Sequence, residues 1–201
     1  MENLVQTAQE ALSLQFPFLT DEDIEAFIAI SKIKTAKRKE EIIPVHSVHS
    51  DGYVLLKGLV KGFVLGEDLE EWTIWIRKPG EYFGEPEADR MGKPATVGFR
   101  AIQDSLYLQT DYEQYMILAQ QNIRFAHVVI QVQERALLWL GNRVKLLSVN
   151  SPEERYEILL EQDNAIFQEV NQADIATMLG ITPNSLSRII KRTKEKGQNN
   201  K

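Results

Sequence analysis

The chain has 201 residues and a formal net charge of −6, with 43% hydrophobic and 26% charged residues, a balance ordinary for a soluble globular protein. It contains no cysteine, which excludes disulfides, iron–sulfur clusters and thiolate zinc sites. Its longest apolar runs, such as residues 136–140, fall far short of the roughly 20 residues that cross a bilayer. The N-terminal stretch has neither the basic segment nor the apolar core of a secretion signal, so a cytoplasmic protein is expected.

The first 35 or so residues read as helical. Thr20 is an expected N-cap, with Asp23 at the third helical position completing a capping box. From Glu41 to about Asp111 the pattern changes to short β-type runs, "EIIPV", "GYVLLKGLVKGFVL", "EWTIWIRK", "ATVGFRAI" and "SLYLQT", separated by Gly- and Pro-containing turns. Many short strands broken by turn signals predict a small sandwich or barrel.

From Asp111 to about Val149 there is no proline, and Gly141 is the only glycine. This predicts one helix of about 38 residues, roughly 57 Å long. One heptad column reads Leu118, Phe125, Val132, Trp139, Leu146, and a second reads Ile123, Ile130, Leu137, Val144. The two columns lie roughly 140° apart at about 100° per residue, so the helix must be covered on two faces. One face is expected on the β domain and the other on a partner copy. Phe125, Val132 and Trp139 are assigned to the dimer seam. Ser151 then caps a new helix with Pro152 at its first position, and the Asn150–Ser151 junction is the expected hinge. The expected domains are therefore 1–110, 111–149 and 150–201.

The last segment, "DIATMLGITPNSLSRIIKR", reads as two short helices around Gly180. Asn171 caps the first, and Thr182 with Pro183 opens the second. Leu186, Ile189 and Ile190 point inward, while Asn184, Ser187, Arg188 and Lys191 lie outward. From Asn171 to Lys201 six Lys or Arg face two acids, a net of +4 that leaves −10 on the preceding 170 residues. A basic end on an acidic body is a footprint for a polyanion. The outward residue types suit base edges and phosphates in the DNA major groove. Arg188 is assigned to base readout, and Lys191 and Arg192 to phosphate. Gln172 is assigned to the DNA backbone, and Thr182, Asn184, Ser185 and Ser187 to the remaining DNA contacts.

"ERYEILLEQ" together with "VNQADIATMLGITPNSLSRIIKR" resembles the C-terminal domain of the Crp–Fnr transcription regulators. "GYVLLKGLVKGF", with Gly58, is similar to their β-roll strands, and "KPGEYFGEPEADRMGKPATV" to their phosphate-binding cassette. The resemblance covers about residues 35–192. It implies an α+β fold: an N-terminal, jelly-roll-like, cyclic-nucleotide-binding-like β-roll, a long dimerisation helix and a C-terminal helix-turn-helix domain. The implied partners are double-stranded DNA, a second copy of the chain and RNA polymerase, with an unidentified small-molecule effector and no membrane.

The cassette departs from the family pattern. Gly84 and Glu85 match, but Lys93 holds the position of the phosphate-binding arginine, and Pro94 holds that of the hydroxyl residue before Ala95 and Thr96. Lys93 lacks the bidentate fork, and Pro94 lacks both a hydroxyl and an N–H. Cyclic AMP is therefore not expected. Arg90 is a candidate replacement cation, and the effector-pocket candidates are Gly84, Glu85, Arg90, Lys93, Ala95 and Thr96. His46, His49 and His127 are read as structural or solvated rather than as haem ligands. No metal site, no resident cofactor and no catalytic residue is expected, because no enzyme signature occurs. The alternatives are a regulator with no small effector, and a ligand- or protein-interaction module that does not bind DNA.

Overall fold

The computed structural model describes residues 2–85, 88, 91–149 and 151–199. The chain divides into two compact units. The first comprises residues 1–64 and 75–135, and the second residues 65–74 and 136–201. Asn150, half of the predicted hinge, lies outside the described residues, as does Arg90.

The first unit opens with α1 (Glu2–Gln15) and α2 (Asp21–Ala29). The predicted capping box is present: Thr20 Oγ1 accepts from Asp23 N at 3.2 Å, and Asp23 Oδ2 accepts from Thr20 N at 2.8 Å. Among the described residues eight strands follow: β1 (Ser31–Ala36), β2 (Glu41–Ile43), β3 (Asp51–Lys57), β4 (Val60–Leu65), β5 (Glu71–Arg77), β6 (Tyr82–Phe83), β7 (Gly98–Ala101) and β8 (Ser105–Asp111). They form two four-stranded sheets, ordered β1-β8-β3-β6 and β2-β7-β4-β5. The pairings of β8 with β1 and β3, and of β7 with β2 and β4, are antiparallel.

The helical reading of the first 35 residues ends too late, because residues 31–36 are strand. Their partner decides this. Ser31 to Ala36 pair with Thr110 to Ser105, and the Ser31 and Thr110 hydroxyls are 2.6 Å apart. At the β3–β4 turn Gly58 has φ +90°, and a Cβ there would lie 2.6 Å from the Asp104 carbonyl oxygen. Only glycine fits both demands.

The predicted 38-residue helix is broken. It appears as α3 (Tyr112–Gln121) and α4 (Ile123–Val149), with Asn122 extended between them at φ −140°, ψ 114°. Asn122 is held there by its side chain. Its Oδ1 accepts from Arg124 N at 3.0 Å, and its Nδ2 donates to Asp23 Oδ1 at 2.7 Å. At about 1.5 Å per residue, the 27 residues of α4 span about 40 Å.

Phe125 and Val128 of α4 join Leu12, Phe16, Phe27, Val54 and Leu108 in one apolar core, with Val132 packed against it. Phe125 is 1% exposed. The assignment of Phe125 and Val132 to a dimer seam is therefore corrected: these residues pack against the first unit of their own chain. Trp139 is half-buried in the second unit, with the Arg143 guanidinium 5.7 Å from its ring centroid. The second column is the exposed one: Ile123 at 70%, Ile130 at 50%, Leu137 at 70% and Val144 at 56%.

Among the described residues the second unit contains the β4–β5 hairpin tip, the later part of α4, and the helices α5 (Pro152–Gln162), α6 (Ile166–Glu169), α7 (Gln172–Met178) and α8 (Pro183–Asn199). Tyr156, Ile166, Val170, Ile175, Leu179, Leu186 and Ile189 are buried in it. Among the described residues no helix is long and apolar enough to cross a membrane.

Candidate nucleic-acid interface and effector cassette

The helix-turn-helix follows from local chemistry. Asn171 Oδ1 accepts from Asp174 N at 2.9 Å and caps α7. At its other end Ile181 N donates to Ala176 O and Gly180 N to Thr177 O, both at 3.0 Å, with Gly180 at φ +69°. This is a Schellman stop, and its glycine supplies the left-handed residue. Thr182 Oγ1 then accepts from Ser185 N at 3.2 Å and lies 2.9 Å from Ser185 Oγ, so α8 begins at once. The hydroxyls of Thr182 and Ser185, both DNA-contact candidates, are thus engaged in capping.

Leu186 and Ile189 of α8 are buried, and Ile190 is half-buried. On the opposite side Asn184, Ser187, Arg188 and Lys191 are all exposed. Their i, i+3, i+4, i+7 spacing makes one stripe. Gln172 is exposed at the first position of α7. Among the described residues neither Arg188 nor Lys191 has an ion-pair partner. Arg192 differs, because its Nη2 is paired with Glu153 Oε1 of α5, both side chains being partly exposed. A pair of that exposure is worth little, so it competes only weakly with a phosphate.

Two arginines that sequence reasoning did not single out hold the end of α7. Arg143 Nη1 donates to the Met178 carbonyl. Arg155 Nη1 donates to Leu179 O at 3.0 Å and its Nη2 to Leu147 O at 3.2 Å. Cations at unpaired C-terminal carbonyls complement the helix dipole. Burial, and then the charge of Arg155, push the Arg143 guanidinium below its ordinary value. At the other end of α7, Thr73 of the hairpin tip donates to Asp174. Each of these partners is far away in sequence, so no local pattern announces it.

Glu85 accepts from Thr96 N and Thr96 Oγ1, both at 2.6 Å, and from Val97 N at 3.1 Å. The carboxylate that would meet a ribose hydroxyl already takes three donors from its own chain. Gly84 and Ala95 are buried, whereas Lys93, Pro94 and Thr96 are exposed. The interior of the roll beside them is filled with aromatic rings. Phe83 lies 5.2 Å from Tyr53, 5.6 Å from Phe99 and 5.7 Å from Tyr107, and Trp75 stacks on Phe99 at 5.9 Å.

No protein-family model matches the sequence, and no curated protein matches it either. Solved structures do match. One is CLP of Xanthomonas campestris, described as a c-di-GMP-responsive global regulator, with a TM-score of 0.76 at 16% identity over 89% of this chain and 93% of that one. Another is FixK2 of Bradyrhizobium japonicum, at 0.70 and 20% identity over 84% and 86%. A third is a CRP/FNR-family transcriptional regulator of Thermus thermophilus, at 0.69 and 15% identity over 83% and 87%. The fold is that of the CRP/FNR regulators. Within the CRP/FNR fold, the β-roll and helix-turn-helix expected from the sequence are both present.

Proposed function

We propose that the chain is a CRP/FNR-type transcription regulator that binds an inverted-repeat DNA site as a homodimer. The observation that carries this reading is the exposed stripe Asn184, Ser187, Arg188 and Lys191 on α8, presented by a helix-turn-helix whose other face is buried. Arg188 has the fork that spans guanine O6 and N7. Lys191 and Arg192, with Gln172 at the start of α7, suit phosphates, which position a protein without reading sequence.

The second copy is proposed to dock along Ile123, Ile130, Leu137 and Val144. Their seven-residue spacing is a coiled-coil seam, and so long an apolar stripe is seldom left in water. Two-fold symmetry then sets two recognition helices about 34 Å apart, one turn of DNA. The cassette is proposed not to take a cyclic nucleotide, since Glu85 is satisfied internally and the arginine and hydroxyl positions hold Lys93 and Pro94.

Fluorescence anisotropy of labelled duplex DNA across a salt series tests the interface. Counterion release predicts that log K falls by about 0.9 per log unit of salt for each phosphate contacted, so Lys191→Ala should flatten the slope by about one. Binding that ignores salt, or a slope unmoved by Lys191→Ala, overturns the reading.

A further inference from the structure

A cavity of about 330 Å³ lies within the second unit, between α4, α5 and the end of α7. This is the small end of the range in which proteins bind small molecules. Its floor is apolar, including Leu146, Leu159 and Met178. Its charged lining consists of Arg143 and Lys145, with no acid. That is unexpected next to α5, which carries Glu153, Glu154, Glu157 and Glu161. Among the described residues neither Arg143 nor Lys145 meets a carboxylate. The charged neighbour felt by the Arg143 guanidinium is another arginine, Arg155.

We infer that this cavity binds a small carboxylic acid with an apolar body. Arg143 commits Nη1 to the Met178 carbonyl, which leaves the Nε/Nη2 edge as a fork matched to two carboxylate oxygens. Lys145 adds a point charge at the same lining, and the aliphatic floor covers the body of the ligand. An incoming anion supplies the countercharge beside the partly buried Arg143 guanidinium, where screening is reduced, while Lys145 stands exposed at the rim. The site is separate from the β-roll cassette. An occupant would touch Met178 and Leu179, where the first helix of the helix-turn-helix ends. Binding here is independent of whether the chain recognises DNA.

Calorimetric titration of the full chain with 1-naphthylacetate, and with its uncharged amide 1-naphthylacetamide, tests this. The acid should bind saturably and the amide at least about tenfold more weakly, the usual effect of losing a charge-assisted hydrogen bond. Arg143→Gln should weaken the acid by a similar factor, and Lys145→Gln should weaken it less. Leu159→Trp, which fills the cavity and keeps both cations, should abolish binding. That variant and the acid–amide comparison decide the matter even if Arg143→Gln fails to fold. Equal affinity for acid and amide, unchanged binding in Leu159→Trp, or no saturable binding of the acid to the wild-type protein overturns the site.

Discussion

Thr73 Oγ1 donates to Asp174 Oδ1 at 2.7 Å, with both residues buried. Thr73 sits at the base of the β4–β5 hairpin tip, and Asp174 in the first turn of α7. Thr73 N also donates to Thr177 Oγ1 at 3.1 Å. The tip is shaped for this contact by Glu70, which accepts from Asp68 N at 3.0 Å and from Trp72 Nε1 at 2.9 Å. The hairpin tip thereby fixes the start of the helix-turn-helix, as Arg143 and Arg155 fix the end of its first helix. Thr73→Val keeps the shape and removes one donor to the buried Asp174 carboxylate. The expected loss is about 1–3 kcal/mol, read by urea unfolding. An unchanged midpoint and slope would mean that the contact contributes nothing.

A second buried carboxylate sets an acid limb. The Arg124 guanidinium, its Nη2 2.9 Å from Asp23 Oδ1, is the largest influence on Asp23. With Thr20 and Asn122 it outweighs burial and holds this carboxyl well below the usual carboxylate range. The folded value lies below the unfolded one, so the pair contributes stability above about pH 4 and loses it as the pH falls further. Arg124→Ala should lower the stability at neutral pH, because it removes the charge-assisted hydrogen bonds to Asp23. The gap to wild type should narrow below about pH 4. A gap that is constant across pH, measured by denaturant titration, would count against this role for the pair.

The exposed column of α4 predicts the oligomeric state. The wild-type chain should sediment as a dimer. Leu137→Glu should give a folded monomer, because a charge in the middle of an apolar seam cannot be solvated once the seam closes. Phe125→Ala should instead unfold the first unit, at a cost of about 3–5 kcal/mol. A dimer that survives Leu137→Glu would place the seam elsewhere.

The cassette predicts a negative result. Calorimetric titration with cyclic AMP and cyclic GMP should give no binding below the millimolar range. Each missing charge-assisted bond to phosphate forfeits about 1.5–3 kcal/mol. Micromolar binding of either nucleotide would mean that other residues rebuild the phosphate grip.

Where the physics is local, the sequence was legible. The caps at Thr20, Ser151, Asn171 and Thr182 and the stop at Gly180 depend on neighbours within a few residues. What was not legible depends on distant partners. Residues 31–36 are strand because β8 pairs with them. The helix breaks at Asn122 because Asp23, 99 residues earlier, takes its amide. Heptad spacing revealed two apolar columns on α4 but not which faced inward, since that depends on where α1, α2, β3 and β8 lie. The outward face of α8 is legible in the sequence, because burial of Leu186 and Ile189 dictates it. Arg192 was harder, since its partner Glu153 comes from another helix.

Selection of binding sites from random duplex DNA tests most directly whether α8 reads DNA sequence through Arg188. The wild-type chain should enrich an inverted repeat. Arg188→Ala should bind that repeat about 1–3 kcal/mol more weakly and lose its preference at one base pair per half-site, while Lys191→Ala should weaken all sequences nearly alike. If the wild type enriches no inverted repeat, or if Arg188→Ala enriches the same sequence with unchanged affinity, Arg188 does not read DNA in this protein.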